Sequence, residues 1–119
     1  MGENLNTREV GTHYEDAAIV YLKDNGVQII DRNVTCGRFG EIDIIGCTSD
    51  AGKTLVFFEV KYRKDDRHGN PEEAVDINKQ NKIRKCAEYY LAYKSSDSYV
   101  RFDIIAIQGE EITWYKNAF

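Results

Sequence analysis

The 119-residue chain contains one proline, two histidines and three cysteines. It has no low-complexity tract, no internal repeat and no apolar run near the length of a membrane span. The opening MGENLNTREVGTHYED lacks the basic-then-apolar order of a signal peptide, so a cytoplasmic location and no membrane contact are expected. Cys36, Cys47 and Cys86 are odd in number, far apart and outside any CxxC pair, and neither His13 nor His68 stands at a zinc-like distance from them. They read as reduced thiols of minor structural weight. Positive charge is not in excess either. With 16 Lys and Arg against 20 Asp and Glu, the net charge of −4 argues against a general nucleic-acid coat protein. It leaves room for a nuclease, because carboxylates gathered to hold a metal lower the net charge by themselves.

What is present suits one compact domain over residues 1–119, with 42% hydrophobic and 30% charged residues. Apolar side chains at Val10, Tyr14, Ala17, Ala18, Tyr21 and Leu22 follow a helical period over residues 7–25, and Asn25-Gly26 supplies a stop. Runs rich in Val, Ile and Phe at 27–34, 41–47 and 55–62 read as strands, separated by turn residues at 36–40 and 49–52. A charged loop follows at 64–70, then a helix from Pro71 or Asp76 to Tyr93. Strands at 99–107 and 111–115 close the chain across Gly109. The order α-β-β-β-α-β-β predicts an α/β fold with a mixed sheet flanked by helices.

The chemistry is concentrated in GEIDIIG (40–46) and FFEVKYR (57–63). Alternate side chains of a strand share a face, so Ile42 and Ile44 are expected on one side and Glu41 and Asp43 on the other. On the next strand Val56, Phe58 and Val60 share a face, opposite Glu59 and Lys61. In the implied register Asp43, Glu59 and Lys61 converge. Charges on strands this apolar are costly without compensation. A hard cation such as Mg²⁺ or Mn²⁺ takes carboxylate and phosphate oxygens, which Asp43, Glu59 and a phosphodiester can supply, and Lys61 adds a compact positive charge beside the phosphate. The alternative is a structural set in which the carboxylates pair with Lys61 or Arg63 at a sheet edge.

The spacing of Asp43, Glu59 and Lys61, D-(x15)-ExK, resembles the PD-(D/E)xK nuclease superfamily, although Ile42 stands before Asp43 where the superfamily's name carries Pro. GEIDIIG, FFEVKYR, GNPEEAV, a lysine-bearing helix and RFDIIAI together resemble the YraN-like family, a distant relative of archaeal Holliday-junction resolvases, over residues 10–107. The resemblance implies a restriction-endonuclease-like α-β-β-β-α-β(-β) fold. It also implies Asp43 and Glu59 as ligands of Mg²⁺ or Mn²⁺, and Lys61 as the catalytic lysine. An acidic residue on the first helix is frequent in the superfamily, which makes Glu15 a catalytic candidate. Thr12-x-x-Glu15 also fits a capping box, a rival without function.

Lys79 shares a helical arc with Ile83, Cys86 and Tyr90 and is expected to face the site, whereas Lys82, Arg84 and Lys85 read as a solvated face. Arg63 is a candidate phosphate clamp and Arg38 a further DNA contact. His68 reads as an exposed loop histidine. Tyr89, Tyr90 and Tyr93 follow the helical period and read as packing rather than as a base-stacking platform. Asp103 reads as structural or marginal to the site. The expected function is a metal-dependent endonuclease acting on DNA phosphodiesters, with branched DNA a candidate substrate. A non-catalytic nucleic-acid-binding module on the same fold is the alternative. A carboxylate-pair hydrolase of another substrate class fits an ExK pattern less well. Resolvases work as symmetric dimers, so a homodimer is entertained, with the apolar end 114–119 as either its interface or the close of the core.

Overall fold

The computed structural model describes residues 7–49, 53–63, 75–94 and 99–119, with the side chains of residues 7 and 8 set aside. The expected charged loop at 64–70 with His68, and all of GNPEEAV except Val75, lie outside the described residues. In chain order the elements are α1 (Thr7–Asp24), β1 (Gln28–Thr35), the 3₁₀ turn η1 (Gly37–Phe39), β2 (Glu41–Thr48), β3 (Thr54–Arg63), α2 (Ile77–Lys94), β4 (Tyr99–Gln108) and β5 (Glu111–Tyr115). The strands form one sheet in the order β1-β2-β3-β4-β5. All neighbours are antiparallel except β3 and β4, which run parallel because α2 carries the chain back between them. This is a mixed five-stranded sheet with two helices, an arrangement consistent with the restriction-endonuclease-like fold.

Each face of the sheet is covered by one helix. On one side α1 places Ala18 and Leu22 against Ile44, Val56, Phe58, Ile105 and Ile107. On the other, α2 places Ile83, Cys86, Ala87 and Tyr90 against Ile42, Ile45, Leu55, Phe57 and Ile104. The stop of α1 is built from its last turn. Gly26 takes a φ of 86°, its N–H donates to Lys23 O at 3.1 Å, and the Val27 N–H donates to Leu22 O at 3.0 Å. These are the two bonds of a Schellman cap, and Leu22 and Val27 both pack under it. Gly46 is needed for a different reason. A methyl group there would meet Val27 Cγ1 at 2.6 Å and Phe58 Cε2 at 3.2 Å, so the junction of α1 with β1 seats only on a bare backbone.

Three expectations are corrected. Ile42 and Ile44 do not share a face: Ile42 packs toward α2 and Ile44 toward α1. The regular β2–β3 ladder runs only from Thr48 to Ile44, and at Asp43 the side chain, not the backbone, receives a β3 amide. The alternation breaks there. The cysteines are not all free thiols. Cys36, beside η1, and Cys86, on α2, form a disulfide with Cα atoms 5.5 Å apart across 50 residues of sequence, and Cys47 is free. The capping box fails because Thr12 lies inside α1, which begins at Thr7.

The end of the chain finishes the core. Trp114 packs on the α1 side, and Ala118 and Phe119 on the α2 side. Phe119 stacks on Phe102 at 5.4 Å, with the Arg84 guanidinium over both rings. The buried carboxylate of Asp103 ties this end down. It accepts bonds from Arg101 Nε and Nη2, from Trp114 Nε1 and from the Asn117 N–H. Residues 114–119 therefore contribute to the core through the partly buried Trp114, Ala118 and Phe119. Among the described residues no helix is long and apolar enough to cross a membrane.

Candidate functional site

The site lies where β3 runs past the regular part of β2. Phe57 belongs to the α2 side of the sheet, and by alternation Glu59, Lys61 and Arg63 follow it on that face while Phe58 and Val60 pack toward α1. Glu59 is buried at 5% exposure among otherwise apolar strand neighbours. The Asp43 carboxylate reaches it from β2 and accepts the Val60 N–H at 2.8 Å. That bond consumes a β3 backbone donor at the point where the β2 ladder has stopped, so the same departure that spoils the alternation also aims Asp43 at Glu59.

α2 supplies the fourth member. Asp76 caps the helix by accepting the Lys79 N–H at 2.8 Å, which places Lys79 in the first turn. From there its ammonium group reaches Glu59 Oε1 at 2.5 Å, and Lys61 Nζ lies 3.6 Å from the same oxygen. Lys79, Ile83, Cys86 and Tyr90 do share the arc that their spacing implied, with the three apolar members buried.

Two carboxylates and two ammonium groups share this site, and both lysines lie against Glu59. The Asp43 carboxyl is raised from 3.8 to about 7, first by burial and then by the charge on Glu59; the Val60 N–H pulls the other way, and Glu15 adds to the repulsion. Burial lowers the pKa of Lys61, and the neighbouring Lys79 lowers it further. Lys79 moves upward: burial works against its charge, but Glu59 outweighs that. In this arrangement Lys79 is the cation that Glu59 relies on.

Glu15 approaches from α1. Burial raises its pKa against the pull of Arg32, to which it forms a loose ion pair at 3.7 Å. Its Oε1 is buried without a hydrogen-bond partner, and so is Arg32 Nε. Arg32 makes its closer contact, 2.9 Å, with Asp16. Asn33, between the Arg32–Ile44 and Val34–Ile42 pairs, takes a φ of 51° and offers its side chain to Glu15. Arg32 and Asn33 were not among the sequence candidates. Nothing in a strand reading flags them, because their part depends on β1 bending beside Asp43.

The structure therefore brings Asp43, Glu59, Lys61 and Lys79 together and sets Glu15 within electrostatic reach of Asp43. Arg63 ends β3 on the same face as Lys61. Arg38 is elsewhere: exposed on η1, with its guanidinium 5.3 Å from the Phe39 ring centre. Of the helical lysines, Lys85 is exposed and pairs with Glu88 at 3.6 Å, while Lys82 helps line a cavity with Lys79, Phe39 and Glu41. Among the described residues no three or more His, Cys, Asp or Glu side chains group as a ready metal cage. The donor set nonetheless fits a hard dication. Asp43 and Glu59 would offer it oxygens whose mutual repulsion a cation would relieve, and Glu15 Oε1, near Asp43, is buried without a hydrogen-bond partner.

A model described as the uncharacterised protein family UPF0102 matches residues 14–107, well over half of the chain. The chain belongs to the UPF0102 family. A UPF0102 protein of Fusobacterium nucleatum subsp. nucleatum is 43% identical over 114 residues, covering 95% of this chain and 92% of that protein. One from Syntrophus aciditrophicus is 43% identical over 124 residues, covering 100% and 92%. A UPF0102 protein of Vibrio cholerae is 40% identical over 119 residues, covering 96% and 94%. The family match spans α1 from Tyr14 through most of β4, and so includes every member of the candidate site.

Proposed function

We propose that this UPF0102 protein is a divalent-metal-dependent endonuclease that hydrolyses DNA phosphodiesters, branched or otherwise structured DNA being the preferred substrate. The observation that carries this reading is the meeting of Asp43, held by the Val60 N–H, with buried Glu59 and with Lys61 and Lys79, an arrangement that pushes the Asp43 carboxyl upward. Lys79 and Lys61 compensate Glu59, and a second carboxylate set close to it adds repulsion that the fold itself does not need. The arrangement makes sense as a ligand pair, with Asp43 and Glu59 holding Mg²⁺ or Mn²⁺ and Glu15 at its margin. A bound dication would polarise the phosphoryl oxygen and lower the pKa of water.

The chain's own residues supply the rest. The Val60 N–H fixes the orientation of Asp43, so the ligand oxygen does not depend on a free rotamer. Lys61 Nζ, on the face of Glu59, sits beside the phosphate position and offsets charge that builds there during attack. Its lowered pKa makes its proton easier to move than that of an ordinary lysine. Lys79 neutralises Glu59 when no cation is held, and turns to the DNA backbone when one is. Arg63, farther along the same face of β3, extends the positive track.

The decisive experiment is a cleavage assay on single-stranded, duplex, flapped and four-way DNA in Mg²⁺, Mn²⁺ or EDTA. Metal-dependent cleavage that disappears in Asp43→Asn and Glu59→Gln is the expected result. Tight binding with no cleavage in any metal would replace the enzyme with a non-catalytic binding module on the same fold.

A further inference from the structure

Farther along α2 from the candidate site, the end of β1, η1 and α2 line a second, open cavity of about 530 Å³, within the range of small-ligand sites. Its walls include Phe39, Tyr89, Tyr90, Tyr93 and Arg38. The tyrosines follow the helical period, but only Tyr90 is spent on the core. Tyr89 and Tyr93, four residues apart on the neighbouring stripe, are 55% and 84% exposed, which corrects the reading of all three as packing. The rings are already arranged as a stacking surface. Phe39 lies 5.7 Å from Tyr89 at 31°, with Arg38 over Phe39 and Lys94 Nζ 5.7 Å from the rings of both Tyr90 and Tyr93. Exposed aromatic faces rimmed by cations suit a flat, electron-rich ring joined to an anion.

The position adds a second argument. Phe39 also walls a neighbouring cavity of about 350 Å³ that is lined by Lys79 and Lys82, so the aromatic rings and the first turn of α2 lie on either side of one residue. From Lys79 to Tyr90 is 11 residues of α2, or about 16 Å at helical rise. That equals about five nucleotides of duplex rise.

We infer that the Phe39–Tyr89–Tyr93 cavity is a subsite for an unpaired nucleobase of the DNA strand, a few nucleotides from the phosphate that would lie beside Lys61. The inference rests on the endonuclease reading and names the substrate feature it prefers. A fully paired duplex offers this cavity nothing, whereas a flap, an overhang or the splayed arm of a branch presents a free base. Arg38, remote from the carboxylates, thereby gains a place beside the strand.

The test is binding in EDTA, so that turnover is not needed. Two DNAs share one duplex, and one of them carries a single-stranded tail bearing 2-aminopurine, a base whose fluorescence falls on stacking. The wild type should favour the tailed DNA and quench its probe. Tyr89→Ala and Tyr93→Ala, at exposed positions, should each weaken tailed binding about 10-fold and restore fluorescence. Both variants should bind blunt duplex as the wild type does, and Lys85→Ala should change neither. Equal loss on tailed and blunt DNA, or no loss on either, overturns the base subsite while leaving the endonuclease reading in place. A wild type that binds neither DNA overturns both.

Discussion

Asp103 on β4 and the Asp43–Glu59 pair on β2 and β3 belong to the same sheet, and they differ in how well their carboxylates are satisfied. Asp103 on β4 is fully buried, and its oxygens receive Arg101 in bidentate fashion, Trp114 Nε1 and the Asn117 N–H. Asp43 on β2 is also mostly buried. It receives one backbone N–H, faces Glu59, and has its pKa pushed to about 7. Burial alone therefore says little. A carboxylate with every lone pair answered from within the fold is a structural tie. In the other set Lys79 and Lys61 answer Glu59, while Asp43 meets one N–H and the charge of Glu59, which is what the proposed role as a cation ligand would use.

The comparison is sharpened first by activity. Lys61→Ala should lower cleavage by about 10² to 10³, as loss of a charge-stabilising group at a reacting centre does, while leaving DNA binding nearly intact. Asp103→Ala should do the reverse. It removes the bidentate partner of Arg101 and the acceptor that ties down the chain end, and should cost roughly 3–5 kcal/mol of stability by denaturant unfolding. Metal should not change that loss, and cleavage by the folded fraction should persist. An Asp103 variant that keeps its stability but loses turnover would break the division between the clusters.

A smaller effect separates the lysines of α2. Lys79→Ala should weaken DNA binding several-fold and reduce the salt slope by about one, whereas Lys85→Ala, which removes only an exposed pair with Glu88, should do neither. Equal losses would mean that DNA crosses the outer face of α2 rather than the groove at its first turn.

The sequence revealed the frame and concealed its irregularities. The strand at 111–115 and the break at Asn25-Gly26 were legible because strong local patterns carry them. Glu59 and Lys61 on one face followed from strict alternation along an uninterrupted strand. Asp43 reached the right neighbour for a reason that alternation does not contain, since β2 departs from its ladder there and Ile42 changes sides. The Cys36–Cys86 bond was invisible because 50 residues separate its ends and only the docking of η1 on α2 joins them. Tyr89 and Tyr93 were misread because a helical period gives spacing but not which stripe the sheet covers. Thr12 looked like a cap only while the start of α1 was unknown.

The central claim, that Asp43 and Glu59 await a cation, is tested most directly by the stability of Asp43→Asn across pH, with and without metal. Below about pH 3, Asp43 is largely protonated whether folded or unfolded, and the substitution should have little effect in EDTA. As pH rises from 3.8 to about 7, the unfolded chain ionises this group before the folded one does, so the wild type loses stability. Above about 7 the loss is complete and is bounded at roughly 4 kcal/mol by the displacement of the pKa. Asn keeps an acceptor for the Val60 N–H without the charge, so at pH 8 in EDTA the variant should be the more stable protein. Millimolar Mg²⁺ or Mn²⁺ should then raise the melting temperature of the wild type and leave the variant nearly unmoved. A variant destabilised by roughly 3 kcal/mol at pH 8 in EDTA, beside a wild type indifferent to metal, would contradict the account and make Asp43 the partner of a buried ion pair.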